Sequence, residues 1–134
     1  MFRFRRKIYR RPGEIYLTRY YLFRTPWFGM YIHKFYESDY PVPHDHPWNF
    51  ITCPLTIGYH ENDEKGNVVL RKPFHFAYSK AEKFHWIKKI DDRPVWTLFI
   101  RFRKRRDWGF LTKDGWVNEE IYNKISKFSP VRSI

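Results

Sequence analysis

Short runs in which aromatic and β-branched residues alternate with polar ones dominate this chain, and they constrain its fold more than any other feature. Residues 15–24 read IYLTRYYLFR and residues 30–37 read MYIHKFYE, with Pro26 and Gly29 between them. This pattern is typical of two strands joined as a hairpin. Further strand candidates are residues 48–59, 68–71, 74–78, 84–90 and 95–102. Seven or eight short strands, spaced roughly 8–12 residues apart, predict an all-β sandwich or small barrel.

The C-terminal part of the chain departs from this pattern and predicts one short helix over residues 118–128. Asn118 is suited to cap the helix, and the two glutamates after it lie where the helix dipole favours negative charge. Ile121, Ile125 and Phe128 follow at i, i+4 and i+7. We therefore expect this apolar face to pack against the barrel.

Composition limits the chain to one domain and excludes several classes of protein. The 134 residues fit a single domain, 1–134, with a basic N-terminal segment over residues 1–12 that lacks the apolar region of a signal peptide. Cys53 is the only cysteine, which excludes an internal disulfide and favours a reducing compartment. No apolar stretch approaches the roughly 20 residues of a membrane helix. We therefore expect a cytoplasmic location and no membrane partner.

The histidines carry the clearest chemical signal. His44 and His46 follow a proline-rich turn, and on a strand residues i and i+2 point to the same face. Two imidazoles on one face form half of a typical metal shell, and His85, in a later strand candidate, is our first choice as a third ligand. The alternative is a pair of structural histidines that are satisfied by backbone carbonyls.

Several motifs, taken in order, make the chain resemble a family of small cupin-like proteins that are common in bacteriophages and bacteria. The motifs are residues 32–34 (IHK), 38–39 (SD), 44–48 (HDHPW), 58–61 (GYHE), 94–98 (PVWTL) and 106–110 (RDWGF). The matching region runs from about residue 15 to about residue 117. The resemblance implies a cupin-type double-stranded β-helix, which is a jelly-roll barrel, here with the short C-terminal helix added. It also implies a cytoplasmic location in a host cell if the chain is viral.

The resemblance implies a metal site inside the barrel in which His44, His46 and His85 occupy the three histidine positions. A cupin glutamate ligand would fall four or five residues after His46, where this chain has Phe50 and Ile51. Three alternatives follow from the missing glutamate: a three-histidine site with open positions, weak metal binding, or no metal. A three-histidine site would suit Fe, Zn, Mn or Ni. Candidate additional ligands are Glu61, His33 and His60, and candidate pocket walls are Trp48 and Trp96.

The basic residues leave the ligand class open. Lys and Arg total 26 against 14 Asp and Glu, a formal net charge of +12. Arg101, Arg103, Arg105 and Arg106 form one basic run, which suits a small anionic ligand such as a nucleotide, or nucleic acid. The hypotheses are a metal-dependent enzyme of oxygenase or isomerase type, a non-enzymatic binding module and a nucleic-acid-binding protein. A homodimer is compatible with each of them.

Overall fold

The computed structural model describes residues 5–11 and 14–128, with the backbone alone for 9–11, 14 and 125–128. Its strands are β1 (Arg5–Arg11), β2 (Glu14–Arg24), β3 (Gly29–Phe35), β4 (Phe50–Pro54), β5 (Tyr59–Asn62), β6 (Val68–Arg71), β7 (Ala77–Ser79), β8 (Trp86–Lys89), β9 (Val95–Arg101), β10 (Gly109–Thr112) and β11 (Gly115–Asn118), followed by helix α1 (Glu119–Phe128). The described strand pairs are antiparallel. The all-β prediction with one C-terminal helix is confirmed.

Two sheets form the barrel. The first has six strands in the order β1-β2-β3-β9-β4-β7. The second is made of two strand groups, β6-β5-β8 and the hairpin β10-β11, and the segment from residue 39 to residue 46 joins them. Backbone hydrogen bonds join this segment to both sides: His44 N–H donates to the His85 carbonyl at 2.9 Å, and Asp45 N–H donates to the Gly109 carbonyl at 3.1 Å. The segment that carries the histidine pair is therefore built into a sheet.

Aromatic side chains fill the space between the sheets. The core cluster is Tyr21, Tyr31, Phe50 and Phe99, with Trp48 packed against it. These side chains come from inward positions of β2, β3, β4 and β9, as period-two alternation requires. Aromatic residues bury large areas, so this layer supplies much of the hydrophobic stabilisation of the barrel.

The strands of the structure differ from the predicted ones, or add to them, at four places. The run 48–59 is two strands, β4 and β5. The candidate 74–78 is strand only from Ala77, because Phe74 has a φ of 62°, which an extended strand does not allow. The basic N-terminal segment contains β1, which pairs with β2 despite its charge. The hairpin β10-β11 was not predicted as strand.

Helix α1 lies close to its predicted position but presents a different side chain to the barrel. The Asn118 side chain accepts a hydrogen bond from the Glu120 N–H at 2.9 Å, as an N-cap does. Ile121, however, is 54% exposed, whereas Tyr122 is buried and stacks on Phe110 at 4.1 Å between ring centroids. The predicted packing of Ile121 is therefore wrong. The Ile125 and Phe128 side chains lie outside the described residues.

The search for membrane-spanning segments covers the described residues, and it finds no helix with the length and apolarity needed to cross a bilayer.

Candidate metal centre

Three histidines from two distant segments meet on one face of the second sheet. His44 and His46 lie two residues apart on the segment between β8 and β10, so their side chains point the same way. His85 is directly opposite His44, and the two residues exchange backbone hydrogen bonds of 2.9 and 3.0 Å. Residues paired in this way have their side chains on the same face. The structure thus brings together the three histidines that were predicted as metal ligands.

The three imidazole rings form a nearly equilateral triangle. Ring centroids are 5.0 Å apart for His44 and His46, 5.0 Å for His44 and His85, and 4.8 Å for His46 and His85. One nitrogen from each ring lies within 4.8 Å of the other two. Nitrogens bound to one zinc ion at about 2.1 Å are at most about 4.2 Å apart. Small side-chain rotations therefore suffice for the three to share an ion.

Glu61 fixes the orientation of His85 from behind. Its carboxylate is 2.5 Å from His85 Nδ1, and it also accepts hydrogen bonds from Arg71 Nε at 2.8 Å and Arg71 Nη2 at 2.5 Å. A carboxylate that faces Nδ1 holds the proton there and leaves the Nε2 lone pair for a metal. Glu61 is 7% exposed, so it does not lie in solvent. It was predicted as an additional ligand, but its carboxylate is already committed to His85 and Arg71.

Burial keeps the histidine pair neutral. Desolvation lowers the pKa of His44 to about 4, although the nearby Asp39 carboxylate opposes this shift. Desolvation also lowers the pKa of His46 well below its ordinary value, and His85 and His44 add to the effect. A neutral imidazole retains the lone pair that a metal ion needs. His46 Nδ1 is moreover buried without a hydrogen-bond partner among the described residues.

The Glu61 carboxylate is ionised under the same conditions. Its own burial raises its pKa, but the hydrogen bond and charge of His85, followed by those of Arg71, outweigh this and lower the pKa to about 2. The cluster therefore combines the neutral imidazoles of His44 and His46 with a negative charge behind His85, an arrangement that favours a cation.

Asp45 anchors the histidine segment from the opposite side. Its carboxylate points away from the imidazoles, as alternation along an extended segment requires, and it is 1% exposed. It accepts hydrogen bonds from Gly109 N–H at 2.7 Å and Trp116 Nε1–H at 3.1 Å, and it forms an ion pair with Arg106. Gly109 is required here because a Cβ at this position would lie 2.1 Å from the Val117 carbonyl oxygen.

The two candidate pocket tryptophans lie on different faces. Trp48 stacks on His46, with ring centroids 5.6 Å apart, and contacts Phe99 edge-on at 5.3 Å. Trp96 instead stacks on Tyr20 at 5.8 Å, because alternation along β9 directs it away from the core. Trp48 therefore borders the histidine cluster, whereas Trp96 lies on the other face of the sheet.

The other candidate histidines are not in the cluster. His60 lies between the buried residues Tyr59 and Glu61 on β5, so its side chain points to the opposite face. His33 is inside the barrel on β3, but the aromatic ring of Phe99 contacts it at 4.9 Å and Phe50 lies between Phe99 and His46. Its Nε2 accepts a hydrogen bond from Arg19 Nε at 3.0 Å instead.

Three of the four arginines predicted to contact an anion are used within the chain. Arg101 donates to the Tyr31 hydroxyl at 2.9 Å and to the Thr25 carbonyl at 2.8 Å. Arg105 pairs with Glu82 at 2.9 Å, and Arg106 pairs with Asp45. Only Arg103 of this run is exposed with no hydrogen bond or ion pair to another described residue. Three of the four arginines proposed to contact an anion or nucleic acid therefore already have partners within the chain.

Sequence reasoning missed two residues of interest. Arg19 occupies an inward position of β2 between Leu17 and Tyr21, and a charge at an inward position was the available signal. Arg71 on β6 forms an ion pair with Glu61 on β5 and so orients its carboxylate. Arg71 is opposite Tyr59 in the β5-β6 register, and the sequence encodes such cross-strand pairing only weakly.

Comparisons with known proteins support the architecture. No protein-family model matches the sequence, and no curated protein matches it significantly. Among solved structures, Fe(II) HppE has a TM-score of 0.60 at 16% identity, over 73% of this chain and 56% of that chain. KdgF from Halomonas sp. has a TM-score of 0.55 at 16% identity, over 69% and 85% of the two chains.

A third structure names the fold directly. A conserved protein with a double-stranded β-helix domain from Klebsiella pneumoniae has a TM-score of 0.56 at 14% identity, over 71% of this chain and 84% of that chain. This chain spans just over half of the HppE chain but most of the other two. Together with the two facing sheets, these similarities show that the chain has the double-stranded β-helix fold of the cupin-like proteins.

Proposed function

We propose that this protein binds a divalent transition-metal ion through His44, His46 and His85 and uses the ion to bind and transform a small anionic ligand. The observation that carries the proposal is the triangle of imidazoles, with ring centroids 4.8 to 5.0 Å apart. Its position at the inner wall of a cupin-type barrel adds support, as does the structural neighbour HppE, which was solved in an Fe(II) form.

The residues present fit such an ion. All three donors are imidazoles, which suit Zn, Fe, Ni and Mn to differing degrees, and burial disfavours the protonated form of His44 and His46. The Glu61 carboxylate behind His85 is the type of partner that metal-binding histidines commonly have. Three protein ligands leave further coordination positions for a ligand, as in catalytic rather than structural sites.

A bound ion would supply Lewis acidity or redox chemistry, and the protein side chains would control its surroundings. Glu61 holds the proton on His85 Nδ1, and Trp48 covers one face of His46. Phe50, whose ring centroid is 4.3 Å from that of His46, excludes water from the inner side of the cluster. The proposed reaction classes are oxygenation and isomerisation of a small anionic substrate.

Elemental analysis of purified, dialysed protein tests the metal site. We expect close to one transition-metal ion per chain in the wild type and almost none in the double variant His44→Ala/His46→Ala. The matched control is His60→Ala/His75→Ala, which removes the same number of imidazoles outside the cluster and should retain the metal. Equal metal content in the two double variants would contradict the proposal.

A further inference from the structure

A second polar cluster lies inside the barrel, and it has the opposite chemistry to the histidine triangle. It consists of Arg19 on β2, His33 on β3 and Thr97 on β9. Arg19 is opposite His33 in the β2-β3 register, and His33 is opposite Thr97 in the β3-β9 register. The three side chains therefore stand in one row across three adjacent strands, facing inward. We call them the Arg19 row.

Arg19 has a positive charge and no negative partner among the residues that the structure describes. Its guanidinium donates to His33 Nε2 at 3.0 Å and lies 5.0 Å above the ring of Tyr31. Among the described residues no carboxylate oxygen lies within 4 Å of it. Burial lowers the pKa of the guanidinium, although the arginine keeps its charge at neutral pH. Arg19 is half-buried and also hydrogen-bonds the Tyr21 side chain, but neither this contact nor His33 supplies a negative charge. A partly desolvated cation without a counter-ion is energetically costly unless a ligand supplies one.

The hydrogen bond from Arg19 sets the tautomer of His33. Burial, followed by the charge of Arg19, lowers the pKa of His33 well below its ordinary value, so the ring is neutral. Because Nε2 accepts the Arg19 hydrogen bond, the single ring proton lies on Nδ1. His33 Nδ1 is buried and has no partner among the described residues, and the same is true of the Thr97 hydroxyl.

All members of the Arg19 row are thus donors for which the structure offers too few acceptors. Buried polar groups normally find partners, and leaving one unsatisfied costs about 1–3 kcal/mol. A molecule that completes the row has to present several acceptor atoms and a negative charge. An oxyanion such as a carboxylate or a phosphate group meets both requirements.

We propose that the Arg19 row binds the oxyanion group of a small ligand inside the barrel, on the far side of the Phe99 ring from the histidine triangle. Phe99 and Phe50 pack between the two polar clusters. The Arg19 row is therefore an anion site of its own, separated from the histidine triangle by the aromatic core.

Phosphate binding to the metal-free protein tests the row independently of the metal. In ¹H–¹⁵N NMR spectra of chelator-treated wild-type protein, inorganic phosphate at constant ionic strength should shift the Arg19 Nε–H and His33 ring resonances in a saturable manner. Arg19→Gln should weaken phosphate binding at least tenfold. Arg103→Gln is the matched control, since it removes the same charge from an exposed residue and should bind like the wild type.

The possible failures are distinguishable. Wild-type protein whose Arg19 and His33 resonances do not respond to phosphate would overturn the row as an anion site, whatever the metal content. Equal weakening by Arg19→Gln and Arg103→Gln would also overturn it, because net charge alone would then explain binding. The His44→Ala/His46→Ala variant should bind phosphate normally. If that variant and the wild type both lack metal while phosphate still binds at Arg19, the proposed function fails and the anion site stands.

Discussion

Two buried histidines in this barrel, His85 and His33, have opposite partners. His85 faces the Glu61 carboxylate through Nδ1, whereas His33 faces the Arg19 guanidinium through Nε2. The carboxylate turns His85 into a lone-pair donor that suits a cation. The guanidinium uses the lone pair of His33 and leaves an N–H that suits an anion. The charge of the neighbour therefore determines what each imidazole can bind, although both are buried in the same aromatic interior.

The first prediction concerns the anchor behind the cation-binding cluster. Asp45→Asn removes the charge that pairs with Arg106, and we expect the free energy of unfolding to fall by about 2–4 kcal/mol. Urea denaturation measures this change. The exposed Asp107 gives the control Asp107→Asn, which should change stability by less than about 0.5 kcal/mol. Equal stability of the two variants would show that the Asp45 network does not hold the histidine segment in place.

The second prediction is a loss of stability in acid that arises from His44. The pKa of His44 is lowered to about 4 in the folded protein, from an ordinary value of 6.5. The unfolded chain therefore binds more protons between these values, and the stability of metal-free protein falls as the pH drops from about 6.5 to 4. His44→Gln should reduce this fall by about 2–3 kcal/mol.

Urea titrations of metal-free protein at several pH values measure this contribution. His60→Gln is the control, since His60 is on the opposite face of β5 from Glu61 and should leave the wild-type pH dependence unchanged. An identical pH dependence in wild type and His44→Gln would mean that His44 is not held neutral by burial.

The third prediction separates the two histidine environments. Glu61→Gln removes the negative charge behind His85, and we expect metal affinity to fall by about 10- to 100-fold. Phosphate binding at Arg19 should not change, because Glu61 touches no member of the Arg19 row. A chelator competition titration measures the first quantity. Glu82→Gln, which alters an exposed carboxylate paired with Arg105, should bind metal like the wild type.

The smallest expected effect lies at the C-terminal helix. Asn118→Ala removes the side-chain acceptor for the Glu120 N–H and should cost about 1 kcal/mol of stability. Because Tyr122 packs on Phe110, which contacts His44 at 5.9 Å, the variant also tests whether the helix supports the cation-binding cluster. Thermal unfolding of metal-free and metal-loaded protein measures both. If Asn118→Ala lowers the unfolding temperature of the metal-free protein but not that of the metal-loaded protein, the helix does not support the cation-binding cluster.

The sequence predicts the histidine triangle well and its surroundings poorly, for a physical reason. His44 and His46 share a face through period-two alternation, which is a local property. His85 was chosen as the third ligand from its place in a later strand candidate, and the resemblance to cupin-like proteins implied the same residue. Glu61 was recognised as relevant but not as the partner of His85, because that contact depends on the register between β5 and β8. Arg19 was missed because the partners of its guanidinium, which include no carboxylate among the described side chains, are visible only in the folded interior.

X-ray absorption spectroscopy of the zinc-loaded wild-type protein tests the central claim most directly, since it counts and identifies the atoms bound to the ion. The account predicts one zinc per chain with three imidazole nitrogens at about 2.0–2.1 Å and the remaining coordination positions filled by oxygen donors. A sulfur shell at about 2.3 Å, fewer than three imidazoles, or failure to bind zinc would contradict it.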